Sequence, residues 1–105
     1  MFACDDSGDE QPDPVSIEYT LTSEEAGKLA DIEYTSGFGI ILLEDEPLPW
    51  SISFKAIFKL GDALTFKAKS GDAGEMTAQI LIDDEVVTAE TATFLIQLVY
   101  INGLK

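Results

Sequence analysis

The sequence predicts an all-β fold, an antiparallel sandwich or barrel of seven to eight short strands. Three observations carry that expectation. Apolar and polar residues alternate with a period of two along most of the chain after residue 14. Turn-forming clusters separate the alternating stretches, as at Ser36-Gly37-Phe38-Gly39, Gly61-Asp62, Ser70-Gly71-Asp72-Ala73-Gly74 and Asp83-Asp84-Glu85. No stretch carries a strong helical pattern of useful length.

The first element is a tail. Residues 4–14 read CDDSGDEQPDP, acidic and without apolar periodicity. That composition favours a solvated, extended segment, so residues 1–14 are expected to be an acidic flexible tether and residues 15–105 the folded domain. Asp5, Asp6, Asp9, Glu10 and Asp13 are oxygen donors, but they lack the fixed offsets and flanking helices of a calcium-binding EF-hand loop. Phe2-Ala3-Cys4 looks like the end of a bacterial lipobox, in which a small residue precedes the cysteine that is acylated. The apolar region that precedes a lipobox is missing, as in a trimmed sequence. A chance cysteine is the alternative.

The strands follow in order. Val15, Ile17, Tyr19 and Leu21 alternate with Ser16, Glu18 and Thr20. After a polar connection over residues 22–28, Ala30, Ile32 and Tyr34 alternate with Asp31, Glu33 and Thr35. The glycine turn returns the chain as Phe38 to Leu43, which is apolar on both parities. Phe38, Ile40 and Leu42 are assigned to the core, leaving Ile41 and Leu43 on the other face. Glu44 to Pro47 is expected to break the strand. Trp50, Ile52, Phe54, Ala56 and Phe58 then share one parity, with Pro47 and Pro49 placed before the strand because proline cannot donate to a ladder. Leu64, Phe66 and Ala68 form the next strand, and Met76, Ala78, Ile80 and Ile82 another, followed by a tight hairpin into residues 86–89. Residues 91–101 read as one final strand, with Phe94, Ile96, Leu98 and Tyr100 inward and Leu95, Val99 and Ile101 outward. Trp50 is the only tryptophan, and a buried indole is worth about 4–6 kcal/mol at ~25 cal/mol per Å². Its strand is therefore expected to be the centre of the core.

Composition bounds the function. One domain fits in 105 residues. Twenty acids against six basic residues give a net charge of −14. Nucleic acid and anionic membrane surfaces, which require clustered lysine and arginine, are poor partners for such a chain. Histidine is absent and Cys4 is the single cysteine, so an internal disulfide, a thiolate zinc site and a Ser–His or Cys–His nucleophile are all ruled out. Neither a P-loop nor a GxSxG motif occurs. No catalytic residue, metal ligand or cofactor is assigned.

Ile32-Glu33-Tyr34-Thr35 with its glycine turn, Leu48-Pro49-Trp50, Leu64-Thr65-Phe66-Lys67-Ala68, and Met76 to Asp83 together resemble the MmpS-like family across roughly residues 15–90. The best marker is the leucine-proline-tryptophan lead-in. The resemblance implies an immunoglobulin-like β-sandwich, an extracytoplasmic location in the cell envelope, and a non-enzymatic lipoprotein anchored through Cys4. It also implies an accessory or protein-binding role, with a transporter among the partners. Trp50 matches the family's core tryptophan, and Asp83-Asp84 falls at its aspartate-glycine turn, with Asp84 in place of the glycine.

Two surface readings remain open at this level. Ile41, Leu43, Leu95, Val99 and Ile101 form a candidate interface, unless both strands are covered within the chain or the C-terminal strand pairs with another copy in a homo-oligomer. The alternative function is a secreted or surface glycan-binding module built on exposed aromatics, although the aromatic residues fall on core parities. Trp50→Ala is expected to cost about 3–5 kcal/mol in thermal or chemical denaturation.

Overall fold

The computed structural model describes residues 14–25 and 27–103. Cys4 and the acidic segment as far as Asp13 lie outside the described residues. The described residues form eight strands: β1 (Val15–Ser23), β2 (Leu29–Ser36), β3 (Gly39–Pro47), β4 (Trp50–Ala56), β5 (Ala63–Lys69), β6 (Met76–Ile82), β7 (Glu85–Ala92) and β8 (Leu95–Ile101). They form two four-stranded sheets, ordered β4-β1-β6-β7 and β3-β2-β5-β8. Every ladder is antiparallel. The all-β, two-sheet sandwich is thus as expected. Among the described residues, no helix is long and apolar enough to cross a membrane.

The central strands follow their alternation. Ile17, Tyr19 and Leu21 of β1, Ala30, Ile32 and Tyr34 of β2, Leu64, Phe66 and Ala68 of β5, and Met76, Ala78 and Ile80 of β6 are all buried. Ile96 and Leu98 of β8 complete the core from the second sheet. Tyr19 is its centre. Its ring lies 5.1 Å from Phe66, 5.3 Å from Tyr34 and 6.0 Å from Phe54, each pair tilted, an arrangement worth about 0.5–1.5 kcal/mol per pair beyond area burial.

Trp50 does not occupy that place. It begins an edge strand and is only partly buried, its ring tilted against those of Tyr34 and Phe66 at 5.7 and 5.9 Å. The strand ends at Ala56, so Ile57 to Lys59 belong to the connection. Parity had placed the indole on the correct face, but edge strands are covered from one side only.

Three further expectations are corrected. Glu44 to Pro47 does not end β3. The strand continues through a bulge in which Glu44 and Asp45 oppose the single residue Asp31, with Asp45 at φ 54° donating its N–H to the Asp31 carboxylate at 3.0 Å. Residues 91–101 are not one strand: Thr91 and Ala92 close β7, and a bend at Thr93-Phe94 precedes β8, leaving Phe94 exposed. The inward set of β3 is also reversed. Gly37-Phe38 is the whole turn, Ser36 pairs with Gly39, and Ile41 and Leu43 therefore sit opposite Tyr34 and Ile32 on the core side. Turn length sets register, and a one-residue difference exchanges the faces.

The β6–β7 hairpin retains the turn that glycine would have favoured. Asp83 and Asp84 both have positive φ, 51° and 69°, the pattern of a type I′ turn. Aspartate tolerates this conformation, and Asp83 is further held because its carboxylate accepts the Ser16 N–H at 3.0 Å while its own N–H donates to the Ser16 carbonyl at 2.8 Å.

Phe66→Ala is expected to cost about 3–5 kcal/mol, and Trp50→Ala less than that, revising the sequence-based figure. Urea denaturation of the two variants checks the order; equal or inverted losses would return the indole to the centre of the core.

Candidate functional site

The two sheets do not close equally on their two sides. β7 and β8, the edge strands on one side, lie against each other, while β3 and β4, the edge strands on the other, stand apart. Between β3 and β4 a cleft of about 700 Å³ opens toward the core. Its walls are Ile41 from β3 and Ile52 and Phe54 from β4; Ile17, Tyr34 and Leu64 form the deeper surface, with Phe58 beside them. The β2–β3 turn approaches the end of β4 at one corner, where a Cβ added to Gly37 would stand 3.7 Å from the Ala56 Cβ.

Two features brace the cleft. Tyr19 lies behind it and donates its hydroxyl to the Thr35 carbonyl at 2.7 Å, tying β1 of one sheet to β2 of the other. The connection from β4 to β5 is fastened to the turn after β8: Asn102 donates from its side chain to the Phe58 carbonyl at 3.0 Å and from its backbone to the Asp62 carbonyl at 2.8 Å.

The chemistry lining the cleft is sparse. Among the described residues Asp62 is its one carboxylate, and that group already accepts the Lys59 N–H at 2.9 Å. Lys55 is the one charged amine among the lining residues. Among the described residues, no cluster of three or more histidine, cysteine, aspartate or glutamate side chains is placed to hold a metal. A smaller depression of about 230 Å³ on the outer face of the second sheet runs past Asp31, Glu33, Lys67 and Lys69. There Glu33 opposes Lys67 and Asp31 opposes Lys69 across the ladder, the arrangement of ordinary cross-strand charge pairs.

The residues singled out from the sequence are not brought together. Cys4 lies outside the described residues. Ile41 and Leu43 are partly buried against the core, not part of an exposed patch. Leu95 and Val99 are exposed on β8 as expected, and Ile101 is partly buried. β3 and β8 are opposite edges of the same sheet, so the five residues do not form one surface. On β3 the exposed large apolar side chains are instead Ile40 and Leu42, with Phe38 fully exposed at the turn.

Sequence reasoning also missed Lys28. It is almost wholly buried, and its ammonium donates to the backbone carbonyls of Asp72 and Ala73, the latter at 3.3 Å. The Asp72 carboxylate accepts the Leu29 N–H at 3.0 Å. This polar knot fixes the far end of the sandwich.

No family model matches the chain, and a search of curated proteins finds no relative.

Burial pushes the Tyr19 phenol above its ordinary value of about 10, and the neighbouring Tyr34 adds a smaller push. With the folded-state value raised, the contribution of Tyr19 to stability is fully present below about pH 10 and is lost as pH rises beyond it. Tyr19→Phe is expected to make the alkaline loss of stability shallower. At neutral pH it should cost about 1 kcal/mol, because the Thr35 carbonyl is left unpaired. Denaturant titrations across neutral and alkaline pH check both; an unchanged alkaline slope would contradict the assignment.

Proposed function

We propose that the chain is the non-enzymatic binding domain of a lipid-anchored cell-envelope protein, and that it takes an apolar group of a protein partner into the cleft between β3 and β4. The observation that carries this reading is the cleft itself. It lies within the size range of ligand sites and is lined largely by aliphatic and aromatic side chains. The non-enzymatic part is supported by the single carboxylate among the described lining residues, already engaged by a backbone N–H: glycosidic chemistry of the two-carboxylate kind requires a second one facing it.

The envelope location, the anchor on Cys4 and a transporter as partner belong to the same proposal and rest on the MmpS-like resemblance. The immunoglobulin-like assignment belongs there too. Two antiparallel sheets over an aromatic core support it. The strand order weighs on the other side, since the first two described strands, β1 and β2, lie in different sheets, whereas the first two strands of the constant-type immunoglobulin arrangement are neighbours.

A glycan-binding surface is the second reading, favoured by one observation: Phe38 is fully exposed beside the cleft. Its test is glycan-array binding that is lost in Phe38→Ala.

The cleft is tested by titration with the neutral apolar fluorophore N-phenylnaphthylamine. Saturable binding is expected, and Ile52→Trp, which fills the cleft, should abolish it while the circular dichroism spectrum is retained. Absence of saturable binding, or equal binding by the filled variant, would remove the proposal. Mass spectrometry of the protein from its native host should show Cys4 carrying acyl chains; an unmodified thiol would remove the anchor.

A further inference from the structure

We infer that β3 is a self-association edge, pairing with β3 of a second copy of this chain in an antiparallel register centred on Ile41. Among the described residues β3 is hydrogen-bonded on one side only, to β2, and an unpaired strand edge is a template for another strand. Its outward side chains are those a soluble edge normally avoids: Ile40 is 54% and Leu42 71% exposed.

The choice of a second copy rests on charge and on self-complementarity. Residues 39–43 are free of charge in a chain of net charge −14. Glu44, Asp45 and Glu46 follow at once, and the bulge at Asp45 ends the regular edge. About a two-fold axis through Ile41, Ile40 of each copy opposes Leu42 of the other and Gly39 opposes Leu43. Both parities are preserved, so Ile40 and Leu42 of the two copies form one outer apolar cluster. Glu44 falls opposite Phe38. The two Glu44 residues are then six positions apart along the pair, about 20 Å at ~3.4 Å per residue, or roughly two Debye lengths at 0.1 M salt. A parallel or acid-ward register would instead stack like charges.

The other edges are less suited. β4 carries Lys55, and β7 carries Glu85 and Glu90. β8 is uncharged, but β7 lies against it, so pairing through β8 would bring two copies of the acidic β7 together. A single strand edge falls short of the ~800 Å² per partner of a standard interface, so the dimer is expected to be weak, micromolar at best.

Sedimentation equilibrium of the full chain over a wide dilution series, at low and high salt, tests this. A monomer–dimer equilibrium is expected, shifting toward dimer as salt rises because two copies of like net charge repel each other. Leu42→Lys should be monomeric throughout with an unchanged thermal melt, although it lowers the net negative charge. Val99→Lys, on the β8 edge, should dimerise as the wild type does. A wild type that stays monomeric at every concentration and salt would overturn the inference. So would dimerisation by Leu42→Lys, or its loss in Val99→Lys. The Ile52→Trp cleft variant is expected to dimerise normally, so failure here and failure of the cleft reading are separable.

Discussion

The hydroxyl of a completely buried tyrosine must find a partner, and for Tyr19 that partner is the Thr35 carbonyl in the opposite sheet. A phenol without a hydrogen bond in this position would cost on the order of 1–3 kcal/mol. The bond therefore fixes how β1 sits over β2, and with it how the aromatic cluster of Tyr34, Phe54 and Phe66 closes around the ring. Thr35 contributes a second tie, its hydroxyl meeting that of Thr65 at 2.9 Å and accepting the Thr65 N–H at 3.1 Å. One short run of β2 thus anchors both its own sheet and the other.

Closure at this point leaves the flanks unequal. On the β7–β8 side the two edges meet. On the β3–β4 side, four residues of core parity, Ile41, Leu43, Ile52 and Phe54, are covered only in part. The cleft follows from that asymmetry, and so does the exposure of β3. Its inner side chains face the gap, its outer ones face solvent, and among the described residues its backbone is paired on one side only, to β2. The same strand bounds the apolar cleft and carries the charge-free stretch over residues 39–43. Lys28, held by backbone carbonyls at the opposite end, marks that end as structural.

Much of the sandwich was legible in the sequence because its central strands have one dry face. Ile17, Tyr19 and Leu21, or Leu64, Phe66 and Ala68, alternate cleanly and are buried as expected. β3 was misread because a strand apolar on both parities carries no information about which parity is inside; only the two-residue turn at Gly37-Phe38 settles it. Trp50 was misplaced because parity reports a face and not a position in the strand order, and strand order is set by pairings far apart in sequence. Val15 to Leu21, for example, lies against Trp50 to Ala56. The Lys28 contacts reach 44 and 45 residues along the chain to main-chain carbonyls, which leave no side-chain pattern to read. The cleft is likewise a property of how the sheets meet and has no motif.

The most direct test of this picture is residue-resolved amide hydrogen exchange, measured on dilute protein at low salt, where self-association is least. A sandwich closed around Tyr19 and open along one flank predicts slow exchange through β1, β2, β5 and β6, with alternate amides of β3 and β4 exchanging fast because they point away from their single neighbour. Uniform strong protection along β3 and β4, equal to that of β1, would contradict it.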